Sequence, residues 1–357
     1  RDSYCVILSG TGVDGTDGLK AIKASGGFAF VQPSADARFP GMPDNAVATG
    51  LVDFVLSADK IPNQIFEILT YRLRVAEGDE MSELSQEIAS ALPAIGKLLF
   101  DRVGHDFSNY KPRTLIRRIE RRMNALRTAT VEEFMKAIDN DQDAELLASE
   151  FMIGVTQFFR DPKSFAQLNR SVIKPLVERK DSNIRIWVPG CATGEEVYSI
   201  AMLVLEQIEK QDKQLTLQVF GTDIDVQSLI RARFGDYSEK DLASVTQARR
   251  KRFFTRDGAR YRISQQVRDA CVFTPHNVLQ DPPFSRLDLI SCRNLLIYFD
   301  TEIQRSVIRK FHFALNNDGG LFLGSSESVS AEDNLFHAED KLHRIFKKNE
   351  NIRSKYS

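Results

Sequence analysis

Residues 184–196, IRIWVPGCATGEE, limit what this chain can fold into more than any other segment. An apolar strand runs straight into a turn bounded by Gly190 and Gly194, and Val197, Ile200, Ala201, Val204 and Ile208 then recur at helical spacing. Strand, glycine turn and helix in that order form the ligand-binding half of a doubly wound α/β fold, where glycines let the backbone approach a ligand closely.

The turn excludes one ligand class and favours another. Three residues separate its glycines, unlike a dinucleotide turn, and Glu195 and Glu196 stand at the helix start where a pyrophosphate would sit. Two carboxylates there repel phosphate and can accept hydrogen bonds from amino or hydroxyl groups. A phosphate-free, positively charged cofactor fits, and S-adenosylmethionine is such a molecule. The next strand, 215–220, ends in Gly221-Thr-Asp-Ile-Asp225, placing Asp223 to bind ribose hydroxyls and Asp225 to cap the following helix. Segments 273–277 and 287–294 belong at the carboxyl edge of the same sheet. Asp300 is expected to cap a helix reaching about Asn316, which Gly319 and Gly320 stop before a strand at 321–324.

Composition sets outer bounds. At 357 residues, 42% hydrophobic and 27% charged, the chain reads as globular with two or three domains. A net charge of −1 argues against a nucleic-acid partner, and no apolar run is long enough for membrane insertion. Cys5, Cys191, Cys271 and Cys292 lie far apart, which fits reduced thiols in a cytoplasmic protein. The histidines lack metal-ligand spacing, so no metal is expected.

Four regions follow. Residues 1–75 alternate strand, glycine turn and helix, opening with a buried strand at Tyr4–Leu8 that reads as the cut edge of a domain. Residues 76–95 are expected to be an exposed linker, helical in part, since their first part is acidic and polar. Residues 96–160 are helical, and 161–350 form the α/β domain. In the helix opening at Pro112, Leu115, Ile119, Met123 and Leu126 share a face, with Ile116 beside them. Arg117, Arg118, Arg121 and Arg122 crowd the remainder, either as a solvated basic face or as a dock for an acidic partner. Asp161 is expected to cap a helix whose first position is Pro162.

With these segments in order, the chain resembles the CheR-type chemotaxis receptor methyltransferases from about Leu98 to Phe346. The resemblance rests on VTQFFR at 155–160, GCATGEE at 190–196, GTDID at 221–225, CRNLLIYF at 292–299 and GSSES at 324–328. It implies an all-α domain ahead of a Rossmann-like S-adenosylmethionine methyltransferase domain with an inserted small β-subdomain, here at about 252–272. Residues 1–75 resemble the end of a CheB-type methylesterase, through LSGTGVDG at 8–15, GLKAIK at 18–23, and the stretch from Met42-Pro43 to Asp53. Asp14 matches the acid of that family's Ser-His-Asp triad. The matching Ser and His are not in this sequence, so this part is expected to be inactive within a methylesterase–methyltransferase fusion.

The resemblance implies cofactor contacts at Thr156, Arg160, Gly190, Glu195, Asp223, Asn277, Val278, Arg293 and Asn294, with S-adenosylhomocysteine as product. Gly154 stands where the family often carries Asn. Arg293 and Tyr298 are expected at the reaction, Arg293 holding a carboxylate and Tyr298 orienting the attacking oxygen. The implied substrate is a glutamate side chain in the cytoplasmic methylation region of a chemoreceptor, and the basic arginines are implied to dock there. The loop TRDGAR at 255–260 is shorter than those that grip a receptor's C-terminal pentapeptide, so no tether is expected to be required. A nucleic-acid methyltransferase fits poorly, lacking a base-flipping motif. A catalytically silent module binding S-adenosylmethionine or S-adenosylhomocysteine is the alternative.

Overall fold

The computed structural model describes residues 3–12, 15–24, 27–66, 83–152, 156–332 and 334–349. Asp14, Gly154 and the first part of the expected linker lie outside them. The chain divides into two compact units, Arg1–Val155 and Thr156–Ser357.

The first unit opens with a parallel sheet, β1 (Tyr4–Ile7), β2 (Phe28–Val31) and β3 (Phe54–Val55), crossed by α1 (Thr16–Ala24) and α2 (Gly41–Val47). Ile7, Leu19, Ala29, Val31 and Ala46 form one small core, and Phe30, Phe54 and Ile61 form another. Four helices follow: α3 (Glu83–Val103), α4 (Pro112–Leu126), α5 (Val131–Ala137) and α6 (Asp141–Phe151). Residues 83–95, expected as a linker helical in part, form the first half of α3. Ile88, Ile95 and Leu99 give it a buried stripe.

Helix α4 buries Leu115, Ile116, Ile119 and Met123, the face expected from spacing. Its arginines have acidic neighbours inside the unit. Arg122 bonds Asp143 at 2.8 Å and Glu150 at 3.5 Å, Arg118 donates to the Glu150 carbonyl, and Arg121 pairs with Asp53. The Asp53 side chain is fully buried and also takes Lys23 of α1 at 2.6 Å and the Ala29 amide of β2 at 2.7 Å. One carboxylate thereby ties the small sheet to α4.

The second unit is built on a seven-stranded sheet of order β12-β13-β11-β10-β4-β5-β9. Its strands are β4 (Asn183–Pro189), β5 (Thr216–Asp223), β9 (Cys271–Pro275), β10 (Leu287–Cys292), β11 (Leu315–Leu323), β12 (Phe336–Asp340) and β13 (Ile345–Lys348). The strands from β9 to β11 run parallel, while β13 is antiparallel to β11 and β12. This is the doubly wound Rossmann-like sheet that the sequence implies. Its helices include α7 (Pro162–Leu168), α8 (Lys174–Arg179), α9 (Glu195–Lys210) and α10 (Val226–Phe234). After α11 (Gln247–Phe253) and α12 (Gln265–Asp269) comes α13 (Thr301–Ala314).

Two boundaries differ from expectation. A small antiparallel sheet, β6 (Asp236–Ser238), β8 (Arg260–Ile263) and β7 (Phe254–Asp257), takes its first strand from ahead of residue 252. Asp300 caps α13 as expected, accepting the Ile303 amide at 3.1 Å, yet β11 begins at Leu315. Gly319 and Gly320 therefore lie within the strand, where Gly320 pairs with both Leu289 and Lys347. Among the described residues no helix is long and apolar enough to cross a membrane.

Candidate cofactor and methyl-transfer site

Strands β5 and β9 lie on one side of β4, and β10 and β11 on the other. The winding reverses between β4 and β10, and a doubly wound sheet binds ligands outside the carboxyl ends at such a reversal. Gly190, Asp223, Asn277 and Asn294 stand at or just beyond the ends of β4, β5, β9 and β10.

The turn after β4 alternates left-handed residues: Gly190 at φ +67°, Ala192 at +45° and Gly194 at +92°. A Cβ on Gly190 would lie 3.1 Å from Leu295, and one on Gly194 would lie 2.9 Å from Ala232. Asp223 holds the turn from below, accepting the Ala192 amide at 2.8 Å on one oxygen and the Asp225 amide at 2.9 Å on the other. Burial pushes its carboxyl up, and these amides oppose that. Asp225 caps α10 as expected, through Gln227 and Ser228.

The two glutamates at the start of α9 diverge. Glu195 receives the Thr193 hydroxyl at 2.7 Å and stays with the turn, beside a Thr193 carbonyl that Tyr237 bonds. Glu196 turns inward to the Ser291 hydroxyl at 2.6 Å and to Arg293 at 3.5 Å. It belongs to a buried network behind the turn, and the expectation that both acids face a ligand is corrected.

Arg293 anchors that network. Its side chain is 1% exposed, pairs with Asp161 at 2.5 Å, donates to the Arg160 carbonyl at 3.0 Å, and stacks between Phe165 and Phe322. A guanidinium so enclosed pins the loop that leads into α7. The same pair explains Asp161. It precedes Pro162 but makes no side-chain cap, because its carboxylate goes to Arg293. Phe159 at φ +47° and Asp161 at φ +64° are both left-handed, a conformation held by the Ser199 hydroxyl on the Phe159 amide and by this ion pair. Thr156 and Arg160 flank this segment half-buried.

Beyond β9, Asn277 folds onto itself, its side chain accepting the Leu279 amide at 2.9 Å. Lys310, buried on α13, donates to the Val278 carbonyl at 3.0 Å and fixes that loop. Beyond β10, Asn294 is left-handed at φ +62°, and Tyr298 closes a short 3-10 turn, its amide bonding Leu295 at 3.2 Å. Sequence reasoning missed Lys310 and Glu327. Glu327 lies within the GSSES motif, whereas Lys310 follows Arg309 on an amphipathic helix and carries no local signal.

The glycine cradle, the buried Glu195 and half-buried Asp223 carboxylates, and the lack of a basic phosphate clamp in the turn fit a cationic, phosphate-free cofactor. Residues 154–345 match the family model described as CheR methyltransferase, SAM binding domain. Residues 90–151 match the CheR all-alpha domain, and 1–65 match CheB methylesterase. An uncharacterised 104.1 kDa protein of Rhodobacter capsulatus is 39% identical over 96% of this chain, which spans 38% of that relative. A chemotaxis protein methyltransferase of Listeria innocua is 32% identical over 65% of this chain and 89% of its own length. One from Escherichia coli is 28% identical over 68% and 85%.

Proposed function

We propose that this chain, which belongs to the CheR methyltransferase family and carries a CheB methylesterase fragment ahead of its CheR domains, methylates glutamate side chains of chemoreceptors. The observation that carries the reading is the left-handed glycine turn after β4, with Glu195 on it and Asp223 beneath it, at the point where the winding reverses. Glu195 and Asp223 would hold the amino and hydroxyl groups of S-adenosylmethionine, with Thr156, Arg160, Asn277, Val278 and Asn294 around it. When bound, the cofactor supplies a methyl group on a positively charged sulfur. A glutamate carboxylate, with a reference pKa of about 4.3, is ionised at neutral pH, so no general base is needed. The residues' task is alignment, and Tyr298 orients the accepting oxygen by donating a hydrogen bond. Arg293 acts through the loop it pins.

The hairpin between β7 and β8 reverses through Gly258 and Ala259 alone. So short a turn supports binding of receptors without the C-terminal pentapeptide, and tail-truncated receptors are expected to keep full affinity. Docking through α4 is assigned to Arg117, Arg118, Arg121 and Arg122, of which Arg117 is exposed while Arg121 and Arg122 also pair with acids of their own unit. The reading assigns no hydrolysis to residues 1–65.

The test is transfer of labelled methyl from S-adenosylmethionine to receptor-containing membranes. Base-labile label is expected, falling about 100-fold in Tyr298→Phe, while Asp223→Ala weakens cofactor binding about 10-fold or more. Cofactor binding without transfer to any receptor would overturn the enzyme reading in favour of a silent binding module.

A further inference from the structure

The loop from Asn294 to Phe299 carries two residues that the proposed function uses, and it contains a left-handed Asn294. Something must hold it in that conformation. Glu327, only 4% exposed, lies across its start. One carboxylate oxygen accepts the Asn294 amide at 2.9 Å and the Gly324 amide at 2.8 Å, and the other accepts the Ile297 amide at 3.3 Å. Three backbone donors converge on one buried carboxylate, which matches an acceptor-only group in number and sign. Gly324 permits the approach, for a Cβ there would lie 2.7 Å from the Glu327 carboxylate and 3.0 Å from the Asn294 nitrogen. The far end of the loop is held oppositely. The Gln304 amide of α13 donates to the Leu296 and Phe299 carbonyls at 2.9 Å each.

We infer that Glu327 is a positioning residue that fixes Asn294 against the cofactor and Tyr298 toward the substrate by gathering the loop's amide donors. The inference rests on the proposed methyltransferase reading for the roles of those two residues. It does not depend on which receptor is methylated.

The experiment measures S-adenosylhomocysteine binding to the whole chain by calorimetry, for the wild type, Glu327→Gln, Asn294→Ala and the double variant. Glutamine keeps the shape of the side chain but turns an NH2 toward an amide donor, so affinity is expected to fall about 10-fold. In the Asn294→Ala background the same change is expected to cost less than about 2-fold, because coupled residues are not additive. A residue that merely stabilises the fold gives equal losses in both backgrounds, and that result overturns the inference. Gly324→Ala, which disturbs the same pivot without altering charge, provides a second arm should Glu327→Gln fold poorly. It is expected to weaken binding in the same direction, and unchanged affinity would again overturn the inference. If the wild type binds S-adenosylhomocysteine yet methylates no receptor, the proposed function fails while this test still decides the role of Glu327.

Discussion

Two segments of this chain share one local pattern, and only one of them makes a candidate site. Both β1 to α1 and β4 to α9 are parallel strands that pass through a glycine turn into a helix. In the first, a Cβ on Gly10 would meet Met42 but one on Gly12 at φ +82° would touch nothing within 4 Å, and Val6, Leu8 and Val55 around the sheet are exposed. In the second, Leu295, Ala232 and Phe273 close over the glycines, and Asp223 holds the turn from beneath. The comparison teaches that the local pattern specifies an element, while a site arises when distant segments converge on it. Those segments bring buried charges with them.

The largest expected effect tests that last point. Removing Arg293 leaves Glu196 and Asp161 without their cation, and stripping one partner from a buried pair costs about 3–5 kcal/mol. Arg293→Leu is therefore expected to lower the denaturant midpoint of the second unit sharply. Trp187 reports it, being the chain's single tryptophan and fully buried in that unit. A loss under about 1 kcal/mol would show that the network is screened by water and that the convergence contributes little.

Next come the glycines. Gly194→Ala must adopt a left-handed backbone and push a methyl against Ala232 and Phe273, which together cost about 2–4 kcal/mol. Gly12→Ala meets only the backbone term, about 1 kcal/mol, and is expected to leave the Trp187 transition unmoved. Hydrogen exchange at α1 amides measures the smaller change. Equal losses at the two glycines would break the distinction between an open turn and a closed one.

Much of the second unit was legible in its sequence because local rules and tertiary packing agree there. The apolar alternation of β4, the helical spacing of α9, and the caps at Asp225 and Asp300 all appear where periodicity and side-chain chemistry place them. What failed depended on partners far along the chain. Asp161 reads as a helix cap until Arg293, 132 residues later, takes its carboxylate. Glu195 and Glu196 are adjacent and chemically alike, and their directions are separated by Thr193 on one side and by the distant Ser291 and Arg293 on the other. Residues 83–95 read as linker because the acidic, polar stretch just ahead of them sets the character of the segment. The burial of Ile88 and Ile95 depends on the helices they pack against. The arginines of α4 read equally as a solvated face or as a dock for an acidic partner, and the neighbours found for them include Asp53, Asp143 and Glu150 of the same unit.

The smallest expected effect concerns the first unit and its dependence on pH. His105 follows α3, its ring edge-on to Phe107 with centroids 4.5 Å apart and 3.4 Å from the Tyr110 hydroxyl. Burial among these rings pushes its pKa below the ordinary 6.5, against a weaker pull from Asp106. A base with a depressed folded pKa binds more protons when unfolded, so its stability contribution is present above pH 6.5 and declines as pH falls toward the folded value. Glu150, pushed up by burial, contributes the opposite slope at lower pH, since its folded form takes up a proton first. The useful quantity is therefore a difference between two proteins. Hydrogen exchange in α3 and α4 is measured at pH 7.5 and 5.5 for the wild type and for His105→Gln, which cannot titrate. The wild type is expected to lose more protection on acidification than the variant. An identical loss in both would place the pH sensitivity of the helical region on its carboxylates, and the aromatic pocket around His105 would then be open enough to solvate an imidazolium.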